Sequence, residues 1–443
     1  MTLPNRIGFV LMMCLIVLAT IAYGAVHQPI LAFFYVSISL LLLLWAIDSL
    51  KSGTVKLSLS KLQIPLYAAA AYGALQTIPF GAIADMAGVS GIPRTISYDP
   101  FATQMSALHY LALGLFFSIS LVLIDSASRI RKLVIVISVF GFAYAFFAIL
   151  QSVLSPGKIY GIYEARFAVP FGSFVNRHNF AAFMEMTIGL PLGMLFAGAV
   201  GRDKRLLYIT GIALMGVALI MSGSRGGLVA FLAQLIFLVI LTTGAKSRRH
   251  LIIKVASAVL LIVAIVIGSV FIGGESSLTR IAETATSNDV TTDRSHIWAV
   301  TTNVIVKTMP FGAGFGALGV AYTPFDSYSG LERVEQAHND YLQAAADAGI
   351  VGIILGLLFL FWLFRTGLQS ANTANTYRRG VAIGALSACF AVLVHSIFDF
   401  VLHTTAISLL FITMMSLLVA SREEYDDDMI MPEWQKRRAY HPS

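Results

Sequence analysis

The sequence predicts an all-α polytopic membrane protein of about twelve transmembrane helices, with a long polar loop between the ninth and tenth, and three observations lead there. First, 57% of its 443 residues are hydrophobic and 12% charged, with a mean hydropathy of +0.81, whereas a soluble domain is about 25% charged. Second, apolar runs of about 20 residues, enough to cross roughly 30 Å of hydrocarbon as a helix, recur from residue 7 almost to residue 420. Twelve of them take about 240 residues and leave about 200 for everything polar. That excludes a large soluble catalytic domain and confines any chemistry to loops and helix ends. Third, the basic residues sit overwhelmingly on alternate loops.

In order, the spans fall near 7 to 24, 30 to 47, 62 to 78, 107 to 124, 133 to 154, 179 to 200, 206 to 221, 228 to 243, 251 to 272, 341 to 364, 380 to 398 and 404 to 420. The first resembles a signal peptide in ending on the small residues Ala22, Gly24 and Ala25, but a second span follows within a few residues, so it is read as a retained anchor. The third and seventh are short, and Pro65 opens the third where a first helical turn tolerates proline. Cys14 and Cys389 lie inside apolar runs and read as small core residues, silent on redox compartment. The organisation is then a five-span segment over 1 to 154, a region over 155 to 420 that includes the outer loop 273 to 337, and a tail over 421 to 443. The tail has blocks of opposite charge, and its Asp426, Asp427 and Asp428 run reads as solvated, not as a metal site.

Basic loops resist translocation, which orients the chain. With the N-terminus inside, the loops at 48 to 61, 125 to 132, 201 to 205, 244 to 254 and 365 to 379 carry sixteen Lys and Arg in 53 residues, against nine in the 133 residues of the outer segments. Both termini are therefore expected in the cytoplasm. The net charge of +7, which in a soluble chain would suggest nucleic acid, is accounted for by this distribution, and no nucleic-acid partner is expected.

The outer basic residues are Arg94, Lys158, Arg166, Arg177, Arg225, Arg280, Arg294, Lys307 and Arg333. Seven are arginines, whose planar fork grips phosphate oxygens in pairs. Seven of nine histidines, at 27, 109, 178, 296, 338, 395 and 403, also fall at or near outer ends. Arginine and histidine together suit proton transfer beside an anionic substrate.

Four motifs share that face. In FGSFVNRHNFA, residues 171 to 181, Asn176 and Asn179 are ordinary helix starters; the alternative is that they position sugar hydroxyls. SGSRGG, residues 222 to 227, is a helical hairpin in which Gly223 ends one helix and Ser224 starts the next. A hairpin needs no arginine, however, and Arg225 beside glycine-exposed N–H groups could cradle phosphate.

The third motif runs from Asp293 to Gly319. Asp293 can cap a helix with Ile297, Val300, Val304 and Ile305 on one face, lying on the membrane surface or the bundle until Pro310. Trp298 reads as an interfacial anchor, Gly312, Gly314 and Gly316 as a turn, and Arg294 can face the same cavity as Arg225. In the fourth, EQAHNDYLQAAADAGIVG over 335 to 352, Asn339 or Asp340 caps the next helix whatever His338 does. A base beside a phosphate site is nevertheless a catalytic constellation.

The run from His338 and Asn339 to Gly349 and Gly352 resembles the signature of the O-antigen ligase and polysaccharide polymerase superfamily. The SRGG turn, the Arg294 to Trp298 segment and the Pro310 to Gly316 stretch stand in that superfamily's order, and the resemblance covers roughly 165 to 420. It implies a GT-C-like glycosyltransferase of the bacterial inner membrane. Its donor would be a glycan on undecaprenyl diphosphate, and its acceptor, at the periplasmic face, lipid A core for a ligase or another lipid-linked glycan for a polymerase, with membrane lipid around it.

The resemblance also implies His338 as the acceptor-activating base and Arg225 and Arg294 on the diphosphate, with Arg166 added by loop position. Asn176, Asn179, Asn339, Trp298 and Gly314 are the expected supporting residues. No cofactor or metal is expected: Asp289 and Asp293 are the nearest outer carboxylate pair and lack convincing spacing. The ligase reading is preferred over the polymerase. The rival from another class is a secondary transporter or flippase, which usually carries ionisable residues within its spans, whereas Glu185 is nearly the only intramembrane carboxylate here.

Cysteine labelling in intact cells tests the orientation. A cysteine at Ser327 should react from outside and one at Ser247 should not; the reverse pattern would invert the site face and end this reading.

Overall fold

The structure is a computed structural model, and it describes residues 2–81, 94–165, 168–243, 252–269, 294–327 and 333–422. Its helices are α1 Leu3–Ile21, α2 Gln28–Ser52, α3 Ile64–Gln76, α4 Pro100–Leu123, α5 Ala127–Leu154, α6 Arg177–Phe196, α7 Arg205–Met221, α8 Arg225–Thr243, α9 Ile252–Ser269, α10 Arg294–Thr308, α11 Leu318–Tyr322, α12 Asp340–Ala371, α13 Thr376–His395 and α14 Thr405–Ala420. One small antiparallel hairpin, Lys158–Ile159 with Tyr163–Glu164, stands between α5 and α6. The protein is an all-α polytopic membrane protein.

Among the described residues ten helices are long and apolar enough to cross a membrane: α1, α2, α4, α5, α6, α7 with its preceding turn, α8, α9, α12 and α13. The two remaining expected spans are shorter. The run at 62 to 78 forms the 13-residue α3, about 20 Å long, and the last forms the 16-residue α14. Several helices also begin before their apolar run does. Asp99 caps α4, accepting from the N–H of Ala102 at 3.0 Å, so that the helix starts at Pro100, seven residues ahead of the expected 107. Ser126 likewise starts α5 inside what reads as a basic loop. Hydrophobicity marks where a helix meets apolar surroundings, while caps mark where it starts.

Burial sorts centre from rim. Every residue of α14 is buried, as is every residue of α6 from Asn179 to Met194. By contrast, only 22% of the apolar window of α2 and 17% of that of α9 are buried within the protein. An all-round apolar helix must be surrounded, so α6, α13 and α14 form the middle of the bundle.

The α6–α13 contact is backbone on backbone. Gly189 and Gly193 on α6 meet Gly380 and Gly384 on α13, each pair four residues apart. A Cβ added at Gly193 would lie 2.2 Å from the Cα and N of Gly384, and one at Gly384 would lie 2.7 Å from the carbonyl oxygen of Gly189. Small residues four apart on both helices allow this approach, and without a hydrophobic drive between helices in lipid, close packing is what holds them.

A second, smaller core forms where α10 and α11 lie on the start of α12. Val300 and Val304 of α10 pack with Leu318, Ala321, Tyr322, Ala337 and Ala346, and Ile297 and Ile305 join from the side. The expected amphipathic helix after 293 therefore lies on the bundle, while its proposed cap, Asp293, is outside the described residues. So are Arg166, Arg280, Asp289 and the tail beyond 422.

The helix α12 is broken at Gly349 (φ 57°, ψ −138°), and the irregular segment after Pro310 mends the break. The N–H of Ile350 donates to Pro310 at 3.0 Å, and those of Ala313 and Gly314 donate to the carbonyls of Ala346 and Asp347 at 2.8 and 2.9 Å. Backbone this close leaves no room for Cβ atoms: one on Gly349 would sit 2.2 Å from the Pro310 oxygen. The glycines of the third and fourth motifs thus serve one junction.

Replacing Gly193 by leucine should force α6 and α13 apart and cost on the order of 2 kcal/mol or more, lowering the unfolding temperature in detergent. Gly356→Ala, where an added Cβ meets nothing within 4 Å, should leave it unchanged. Equal stability of the two variants would refute the backbone contact.

Candidate active site

At one end of the bundle the starts of α6, α8, α10 and α12 gather around the turn that leaves α13. This turn is built tightly: the N–H groups of Phe398 and Asp399 both donate to the carbonyl of His395, at 2.8 and 3.1 Å. The start of α12 is sewn to it. Asn339 Nδ2 donates to the carbonyl of Ile397 at 2.9 Å, the Asp340 N–H to that of Ser396 at 2.9 Å, and the Tyr341 hydroxyl to that of Leu393 at 2.8 Å.

Asn339 is also the helix cap, its Oδ1 accepting from the N–H groups of Tyr341 and Leu342 at 2.9 and 3.0 Å. Asp340 is the first helical residue and pairs with His403 Nδ1 at 2.9 Å. Capping therefore needs nothing from His338. That histidine instead sits at φ +48°, a left-handed conformation that costs a non-glycine residue about 1–3 kcal/mol and persists only where its surroundings enforce it.

The conformation aims the His338 ring at Asp399. Nδ1 lies 3.2 Å from Asp399 Oδ1, and the ring stands edge-on to Phe400 with centroids 4.8 Å apart. The other carboxylate oxygen, Oδ2, accepts from Arg294 Nη2 at 3.1 Å and lies 3.6 Å from His178 Nδ1. His178 Nδ1 in turn is 2.8 Å from the hydroxyl of Ser224. Ser224 receives the Gly227 N–H at 3.1 Å and so caps α8, the helix whose first residue is Arg225. One carboxylate thus joins residues from motifs one, two, three and four.

Asp399 is 2% exposed. Burial alone would push its carboxyl up, but the hydrogen bond from His338 and the charges of His178, Arg294 and His338 outweigh it and hold the group well below the usual carboxylate range. An ionised carboxylate only accepts hydrogen bonds, so a neutral His338 must present its proton on Nδ1 and keep the lone pair on Nε2. The geometry fixes the orientation of the His338 ring, with an arginine held alongside on the same carboxylate.

Of the sequence-derived candidates, His338 and Arg294 share Asp399 directly. Arg225 stands one residue from Gly226, where an added Cβ would meet His395 and Phe398 at 3.1 Å, so it begins its helix beside the same turn. Asn176 caps α6, accepting from the His178 N–H at 2.9 Å, and Asn179 is buried in the first turn. These two hold the helix end that carries His178. Trp298 is one turn along α10 from Arg294, and its buried Nε1 has no hydrogen-bond partner among the described residues.

Gly314 lies at the α12 junction near Asp347, and Arg166 is outside the described residues. His296 pairs with Asp326 at 2.9 Å. Among the described residues no group of His, Cys, Asp and Glu is arranged to hold a metal ion.

Sequence reasoning missed Asp399. The available signal was slight: it is the one carboxylate in the outer segment 399 to 403, directly after a span rich in apolar side chains. It reads there as an ordinary boundary residue, since its partners lie 61 and 105 positions away.

No curated protein matches the chain. Residues 210–357 match the protein-family model described as O-Antigen ligase, a segment that begins inside α7, ends inside α12 and contains Arg225, Arg294, Trp298, Gly314, His338 and Asn339. Over that segment the chain is similar to the O-antigen ligase family.

Proposed function

We propose that the chain is a glycosyltransferase of the bacterial inner membrane that moves a glycan from undecaprenyl diphosphate to a sugar hydroxyl at the periplasmic face. The observation that carries this reading is the shared carboxylate: Asp399 orients a histidine base and an arginine toward one place. No ready supply of nucleotide sugars exists outside the cytoplasm, so the energy of the new bond must arrive with the donor, and a lipid diphosphate supplies it.

In this reading the acceptor oxygen attacks the anomeric carbon as the bond from that carbon to the diphosphate breaks, with inversion. The hydroxyl proton passes to His338 Nε2, a step worth on the order of 10² to 10⁴ in rate. The departing diphosphate keeps the electron pair, and Arg225 and Arg294 stabilise its charge, Arg166 being a further candidate. Asp399 balances the imidazolium that forms. Asn176, Asn179 and Asn339 hold the helix starts, Trp298 follows Arg294 by one turn of α10, and Gly314 belongs to the junction behind them. The arginines do what a divalent ion does in other phosphate sites, and the reaction is read as metal-independent.

The preferred acceptor is lipid A core, which makes the enzyme an O-antigen ligase; a second lipid-linked repeat would make it a polymerase. In-frame deletion and gel analysis of lipopolysaccharide separate the two. Loss of a ligase leaves long polymer on undecaprenyl diphosphate, whereas loss of a polymerase stops growth at one repeat.

The site chemistry makes its own demands. His338→Ala should fold, insert and bind donor, yet lose transfer by about 10² or more. Asp399→Asn should lose it comparably, because the charge that sets the tautomer is gone. Arg225→Lys and Arg294→Lys keep charge but not the planar fork and should stay impaired.

The depressed value of Asp399 means that its ionised form stabilises the fold above roughly pH 4, a contribution lost only as pH falls through the folded-state value. Near-normal transfer by purified His338→Ala would dismiss it as the base and turn attention to His178.

A further inference from the structure

Beneath the site lies a polar pair that the transfer step does not use. Glu185, two turns into α6, and His395, the last residue of α13, are both fully buried, with His395 Nδ1 2.9 Å from Glu185 Oε1. The other two polar atoms, Glu185 Oε2 and His395 Nε2, have no hydrogen-bond partner among the described residues. Such a pair is a poor device for stability. Each orphaned atom forfeits about 1–3 kcal/mol, and apolar side chains of similar volume in place of a buried ion pair often leave a protein equally or more stable.

What the pair does touch is three of the elements that meet at the site, α13, α6 and α8. On α13, the His395 carbonyl receives the N–H of Asp399 and so sets the turn that presents the carboxylate. On α6, Glu185 follows His178 by two turns, and the rings of His178 and His395 stand edge-on with centroids 6.4 Å apart.

On α8, the two glycines after Arg225 seat directly on the pair. A Cβ at Gly226 would lie 3.1 Å from His395 Cδ2, and one at Gly227 would lie 3.1 Å from Glu185 Oε1 and 2.6 Å from Ala181 Cβ. Further along α8, Gln234 Nε2 donates to the Glu185 carbonyl at 3.0 Å. The glycines of the SRGG turn are thus explained by the pair as much as by phosphate.

We infer that Glu185 and His395 are positioning residues, a directional hydrogen bond that holds the starts of α6 and α8 and the Asp399 turn in one register. A hydrophobic contact could fill this space but could not fix the rotation of the His395 ring, on whose edge the start of α8 rests. Neither residue touches the reacting atoms. The inference rests on the glycosyl-transfer reading, because it concerns the same site.

The test uses the full-length protein in lipid nanodiscs with a lipid-diphosphate-linked glycan and its acceptor. The double variant Glu185→Leu with His395→Phe should unfold at or above the wild-type temperature and keep its KM for the donor, yet lose at least about tenfold in kcat. Glu185→Gln, which retains an oxygen acceptor for Nδ1–H, should recover kcat to within a few fold of wild type.

A stable double variant with wild-type kcat would overturn the inference, and so would a folded Glu185→Gln protein as slow as the double variant is expected to be. The second criterion stands even if the double variant fails to fold. Absence of transfer by the wild-type protein would remove the functional reading and this inference with it, whereas normal transfer by the double variant removes the inference alone.

Discussion

A single buried carboxylate organises one end of this bundle, where four helix starts meet. Asp399 is out of water, yet stays ionised because a guanidinium and two imidazoles surround it. Removing Arg294 takes away the permanent positive charge beside it, and that is what makes the arrangement demanding: breaking the pairing of a buried charge costs about 3–5 kcal/mol. The demand reaches the backbone, where His338 takes a left-handed conformation that is unfavourable alone and is secured by the Asn339 and Asp340 bonds on either side of the turn.

That carboxylate can be shared only if four helix starts and one helix end stay in register, and the packing below supplies the register. Glycine pairs let α6 and α13 touch through their backbones, so the separation of His178 from the Asp399 turn is set by main-chain contact, which has no rotamers to relax. The break at Gly349 is held by the segment after Pro310, which ties α12 to the end of α10 and hence His338 to Arg294. Rigid elements carrying the reacting groups are what preorganised catalysis needs.

How much of this could be read beforehand follows from the range of each signal. Apolar runs are local, and they located the membrane helices well, failing mainly at ends such as Asp99 and Ser126 where a cap extends the helix beyond its apolar stretch. His338, Arg225 and Arg294 stood out as candidates because each sits in a short motif with unusual chemistry for its depth. Asp399, whose identity as the hub depends on partners in three other segments, was not. Glu185 stood out in the sequence as a carboxylate inside a span, but its partner is 210 residues away, and only folding shows that the two glycines after Arg225 pack against both. Long-range pairing between single residues leaves no periodicity to find.

The most direct test of the account is a structure of the full-length protein in lipid with undecaprenyl diphosphate bound. The account predicts both phosphates within hydrogen-bond distance of the Arg225 and Arg294 guanidinium groups, with the contact from His338 Nδ1 to Asp399 intact and Nε2 facing the diphosphate end. A diphosphate bound away from both arginines, or a His338 ring turned from Asp399 to cap α12, would contradict it.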